Sequence, residues 1–78
     1  MITSQSIKAK SAQIISDRER SVLLLVAEGY SSSQIAARLF LSSETIISHR
    51  KNMMRKLKAT NTASLITRSF QIGLLSTY

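Results

Sequence analysis

Apolar residues are unevenly spaced along the chain, and the spacing predicts its elements. From residue 1 to 14, "MITSQSIKAKSAQI", they are scattered among polar residues without a strong period, as in a flexible tail or the remnant of a linker. Val22 to Ala27 then form an unbroken run, "VLLLVA". Beyond it the apolar positions recur at helical intervals: Ile35, Ala36 and Leu39, then Ile46, Met53 and Leu57, then Ala63, Ile66, Phe70 and Leu74. The pattern reads as four helices in one domain, residues 15 to 78.

The run "VLLLVA" fits a strand as well as a helix by period alone, and its flanks favour the helix. Ser16-Asp17-Arg18-Glu19 is an S-x-x-E capping box, in which the serine hydroxyl and the glutamate carboxylate satisfy each other's backbone amides. Gly29 follows near the expected end at Glu28, where a left-handed residue terminates a helix at low cost. Ser31-Ser32-Ser33-Gln34 is a second box and opens a helix of about eight or nine residues. After the apolar connection Phe40-Leu41, Ser42 is placed to cap a third helix from Ser43 to about Lys56. Asn61 or Thr62 caps a fourth, ending near Gly73.

The third helix contains adjacent isoleucines that cannot both face one core. With Ile46 at the centre of the inner face, Met53 and Leu57 fall within about 20° of it, and Arg50, Met54 and His49 lie toward the edges. The outer face then collects Glu44, Ile47, Ser48, Lys51, Arg55 and Lys58. In the fourth helix the main stripe is Ala63, Ile66, Phe70 and Leu74. Leu65 and Ile72 align on a second side with Ser69 between them, a candidate partner surface because one small core needs one stripe.

Composition supports a helical chain and narrows its chemistry. There is no proline, and only two glycines occur among 78 residues. A domain of this size buries roughly 60 to 65% of its unfolded surface, too little for a deep enzyme cleft. With no cysteine there is no disulfide or Cys-based zinc site, and a reducing cytoplasm is compatible. No run approaches the roughly 18 apolar residues of a membrane span, and no secretory signal opens the chain. His49 is the lone histidine, so neither a metal centre nor a catalytic base is indicated, and no cofactor is expected.

Charge gives the domain a direction. Residues 1 to 44 carry five basic and four acidic groups, whereas residues 45 to 78 carry six basic groups and no acid. Five of those six lie between Arg50 and Lys58. Such a patch is the electrostatic footprint of a polyanion binder, with nucleic acid the leading candidate. A helix whose outer face is basic, preceded by a short capped helix, is a helix-turn-helix pattern, and the major groove of B-DNA admits one helix. On this reading Ile47, Ser48 and Lys51 meet base edges: Lys51 donates to guanine, Ile47 packs on a thymine methyl, and the Ser48 hydroxyl meets base or phosphate. Ser42, Thr45, Arg50, Arg55, Lys56 and Lys58 are candidates for the DNA backbone. The plainer alternatives are a phosphate contact for Lys51, a core flank for Ile47, and a pairing of Arg50 with Glu19 or Glu28. For the whole chain the alternative is a helical protein-interaction module with a basic solvated face.

These residues also carry a family resemblance. Arg18-Glu19-Arg20, Val22-Leu23, Gly29-x-Ser31, Gln34-Ile35-Ala36, Leu39-x-Leu41-Ser42, Thr45-Ile46, His49 and Lys56-Leu57 resemble the DNA-binding domain of LuxR/FixJ/NarL-type bacterial transcription regulators. The resemblance continues more weakly to Gly73-Leu74-Leu75. It implies an all-α, four-helix domain without a wing, whose third helix reads double-stranded DNA in the bacterial cytoplasm. It further implies a homodimer on DNA through the fourth helix, here around Leu65, Ser69 and Ile72, and RNA polymerase as a further candidate partner. Two positions depart from the family: Ile47 stands where a DNA-contacting lysine is frequent, and Ser32-Ser33-Gln34 replaces an Asn-Lys-Glu stretch.

Overall fold

The structure, a computed structural model, describes residues 14–75. Among these the chain forms four α-helices and no strand: α1 (Asp17–Ala27), α2 (Ser32–Leu39), α3 (Ser43–Leu57) and α4 (Thr62–Gln71). The tail expected over residues 1 to 14 lies outside the described residues except for Ile14, which packs half-buried against the core beside the buried Ile15.

Each helix starts where a side chain satisfies its first amides. Ser16 and Glu19 form the expected box on α1, at 3.1 Å from the Glu19 N–H to Ser16 Oγ and 3.0 Å from the Ser16 N–H to Glu19 Oε1. Ser31 and Gln34 repeat it on α2. Asn61 caps α4 in a box with Ser64, a pairing outside the usual S-x-x-E/Q form. The stops differ in chemistry. Gly29 takes φ +96° after α1, but Phe40 after α2 and Lys58 after α3 adopt left-handed φ of 57° and 55°. The geometry at Phe40 lets the Leu41 N–H reach the Ala36 carbonyl at 2.9 Å and closes the turn between α2 and α3.

The core is drawn from every helix: Val22, Leu23 and Val26 of α1, Ile35 and Ala36 of α2, Ile46, Met53 and Leu57 of α3, and Leu65 of α4, completed by Ile15, Leu74 and Leu75. The α3 helix packs against all three of the others. One expectation holds only in part, since Ile66 and Leu74 of the expected α4 stripe do pack on the core. In α4 the inward side carries Leu65 and Ser69, both 0% exposed, while Phe70 and Ala63 of the expected main stripe face outward. Leu65 and Ser69 therefore have no surface to offer a second copy, and of the three residues expected at a dimer interface only Ile72 is exposed. The buried serine is tolerated because its hydroxyl donates to the Leu65 carbonyl at 2.7 Å, one turn back, so no polar group is left unmet.

A part-buried ion pair ties α1 to α3. The Glu19 carboxylate, besides capping α1, accepts from Lys56 Nζ of α3 at 2.8 Å. Burial pushes the Glu19 carboxyl up, but the Lys56 hydrogen bond, the Ser16 amide and the charges of Lys56 and His49 outweigh it and hold the group below its usual 4.5. A carboxylate with a depressed folded pKa contributes stability that is present above the unfolded value and is lost as pH falls through the folded one. Thermal unfolding followed by circular dichroism should therefore show Glu19→Gln destabilised by about 1–3 kcal/mol near neutrality. The gap to the unsubstituted chain should narrow as pH drops below 4.5. A gap independent of pH would contradict this role for the ion pair.

Phe40 gives a second test. Its ring is 94% exposed, so the side chain offsets little of the roughly 1–2 kcal/mol cost of a left-handed backbone. Phe40→Gly should raise stability by about 0.5–1 kcal/mol in urea titrations, after allowing for glycine's greater freedom when unfolded. A loss of similar size would mean that the ring contributes to the fold.

Candidate nucleic-acid interface

The site is the side of α3 that the core leaves uncovered. Ile46 is fully buried, with Met53 and Leu57 beneath the following turns. Because consecutive residues turn by about 100°, burying that row leaves Glu44, Ile47, Ser48, Lys51, Arg55 and Lys58 pointing to solvent, and each is exposed. Ile47 retains 43% of its surface, so it is not part of the core. The three residues expected to read bases thus share one exposed face. Asn52, which the helical spacing did not single out, is exposed beside them. Glu44 is exposed on the same face.

At the N-terminus of α3, Ser42 Oγ accepts from the Thr45 N–H at 3.1 Å, and the two hydroxyls lie 2.8 Å apart. That pair caps the helix without a carboxylate, and the acidic group of the first turn is Glu44. The remaining first-turn amides point out along the axis, at the positive end of the helix dipole.

The basic residues divide into two groups. Arg55, Lys58 and Lys51 are exposed, without a side-chain hydrogen bond or ion pair among the described residues. Arg50 and Lys56, both expected at the DNA backbone, instead bond to other helices of the domain, Lys56 while still exposed. Arg50 is half-buried and donates to Thr62 Oγ1 of α4 at 2.8 Å and toward Ser32 Oγ of α2 at 3.4 Å. It pairs with neither Glu19 nor Glu28. It ties α3 to the first residues of two other helices, and Lys56 ties α3 to α1 through Glu19. Sequence spacing set Arg50 at the edge of the inner face, but only the fold brings the two hydroxyls to it.

Other chemistry is sparse. Among the described residues no group of His, Asp and Glu could hold a metal ion. A pocket of about 280 Å³ lies by the C-terminal end of α3, lined by Ile14, Lys56, Leu57, Lys58, Arg68 and Ile72. Apart from Lys58 it shares no residue with the exposed α3 face. Among the described residues no helix is long and apolar enough to cross a membrane.

Known proteins match this chain in the same segment. Residues 13–69 fit the family described as "Bacterial regulatory proteins, luxR family", which is a family of regulators and not of enzymes. The transcriptional regulatory protein MctR of Rhizobium johnstonii is 40% identical over 62 residues, 80% of this chain and 29% of that protein. A nitrate/nitrite response regulator homolog of Haemophilus influenzae is 51% identical over 43 residues, 55% of this chain and 21% of its own. The response regulator VraR of Staphylococcus aureus is 29% identical over 68 residues, 87% of this chain and 32% of its own. The chain thus spans about a third or less of the length of these curated relatives. With the family's span covering α1 to α3 and most of α4, this chain belongs to the luxR family of bacterial regulatory proteins.

Proposed function

We propose that this chain is a sequence-specific double-stranded DNA-binding domain of a bacterial transcription regulator, with α3 in the major groove. The observation that carries the reading is the exposed face formed by Ile47, Ser48 and Lys51, held outward by the burial of Ile46, Met53 and Leu57. A helix presented in this way fits the major groove, and its outward side chains reach base edges. Lys51 donates to guanine O6 or N7, Ile47 covers a thymine methyl, and Ser48 supplies a hydroxyl to base or phosphate. Such binding would place the protein with the DNA of the bacterial cytoplasm.

Ser42, Thr45, Arg55 and Lys58 meet phosphates, the first two at the amide-rich start of α3 and the others through charge. Arg50 and Lys56 act by positioning α3 through Thr62, Ser32 and Glu19, and add their charge to the field at longer range. For pairing of two copies on DNA, the outward side of α4 supplies the surface. Ala63, Thr67 and Phe70 lie within about 60° of one another on the exposed side of that helix, and Ile72 adds apolar area past its end. RNA polymerase remains a candidate partner of the whole regulator.

Selection of bound duplexes from a random pool, followed by fluorescence anisotropy, tests the proposal. The chain should prefer a selected duplex to random DNA at moderate salt, and equal affinity for both would sink the reading. Lys51→Ala should lose discrimination at one position by about 1–3 kcal/mol while keeping salt-dependent binding. Arg55→Ala should weaken all duplexes alike and reduce the slope of log K against log salt by about 1. Ile47→Lys should leave folding intact, raise general DNA affinity and change the preferred sequence. If it unfolds the domain, the isoleucine serves packing and the groove assignment is lost.

A further inference from the structure

We infer that Glu44 is a base-selecting residue that accepts a hydrogen bond from the N4 amino group of a cytosine in the major groove. This rests on the reading of α3 as the recognition helix. Glu44 is the second residue of α3, exposed, and within about 20° of Lys51, 40° of Ser48 and 60° of Ile47 around the helix axis. It is the last acidic residue of the chain, and the 34 residues that follow carry none. A lone carboxylate stands in the middle of the face that meets a polyanion.

Like Glu44 in α3, two of the other described acids lie in the first turn of a helix. Asp17 and Glu19 occupy the first turn of α1, where negative charge suits the helix dipole, and Glu19 is further engaged by Ser16 and Lys56. Glu28, the exposed C-terminal cap residue of α1, has like Glu44 no side-chain hydrogen bond or ion pair among the described residues, but it belongs to another helix. Glu44 has no side-chain hydrogen bond or ion pair among the described residues, because Ser42 and Thr45 complete the cap of α3 between themselves. Its carboxylate is left to face outward.

Its chemistry then limits what it tolerates. An ionised carboxylate only accepts hydrogen bonds, and among phosphates it is repelled unless it meets a donor. The major groove displays two such donors, adenine N6 and cytosine N4. Adenine N6 is flanked by acceptors on both sides, its own N7 and the O4 of the paired thymine. Cytosine N4 has an acceptor, guanine O6, on one side only, and C5–H on the other. Cytosine is therefore the base a carboxylate selects, while adenine sets its donor between two acceptors and guanine and thymine offer no donor. Glu44 lowers affinity for unselected DNA as well as raising it for the right sequence. A purely structural role at the helix dipole would leave base preference untouched.

Random-pool selection with the full 78-residue chain, Glu44→Gln and Glu44→Ala, with thermal melts of all three, tests the inference. The unsubstituted chain should enrich cytosine at a position other than the one relaxed by Lys51→Ala, with discrimination of about tenfold or more. Glutamine pairs bidentately with adenine N6 and N7, so Glu44→Gln should move that position from cytosine to adenine. Glu44→Ala should leave it degenerate, and both variants should bind random duplex more tightly than the unsubstituted chain. An identical selected sequence for all three proteins, or no cytosine at the affected position, would overturn the inference. A pool with no enriched sequence from the unsubstituted chain would instead overturn the DNA-reading proposal beneath it.

Discussion

Ile46, Met53 and Leu57 lie along one side of a 15-residue helix, and their burial determines where every other side chain of α3 points. A helix has only one rotation about its axis that buries this row. Given that rotation, Ile47 stands outside the core, and the neighbouring isoleucines acquire opposite environments from a difference of one position. Rotating α3 enough to bury Ile47 would lift Ile46 from the interior at a cost of roughly 1.5–3 kcal/mol for a fully buried side chain. The outer face is thus set by apolar packing that no residue of that face joins.

The cations of α3 reinforce the same orientation. Arg50 and Lys56 reach from its edges to Thr62 and Ser32 and to Glu19, so α4, α2 and α1 each hold it by at least one polar contact. Those contacts restrain the helix against rolling on its apolar seam, which apolar burial alone resists weakly because it is non-directional. A basic patch that looks uniform in sequence is therefore divided by its contacts. Part of it orients the helix, and the exposed remainder, Lys51, Arg55 and Lys58, is available to a polyanion.

Much of the fold was legible because the helix boundaries are written in local chemistry. Ser16, Ser31 and Ser42 cap the first three helices as their spacing predicts, and Gly29 ends the first. The outer face of α3 was legible for a related reason: a periodic row of large apolar residues admits one inward side. The fourth helix was not. Two apolar rows of similar strength lie on opposite sides of it, and the core takes part of each: Leu65 and Ser69 from one, Ile66 and Leu74 from the other. The bond of Ser69 to the Leu65 carbonyl, which makes burial inexpensive, depends on its position within the packed helix. The partners of Arg50 were equally hidden, since Ser32 and Thr62 are 18 and 12 residues away in the chain and meet it only in the fold. At Phe40 and Lys58 the helices end on left-handed residues with none of the usual sequence signals.

Geometry of the complex bears most directly on α3 as the groove-reading element. In an NMR titration of the isotopically labelled chain with a preferred duplex, intermolecular contacts should connect the Ile47 methyls to a thymine methyl and the Lys51 side chain to a guanine edge. The Ile46 and Met53 methyls should remain in contact only with protein. Intermolecular contacts centred on α1 or on the outward side of α4, with Ile47 and Lys51 unperturbed, would contradict the account.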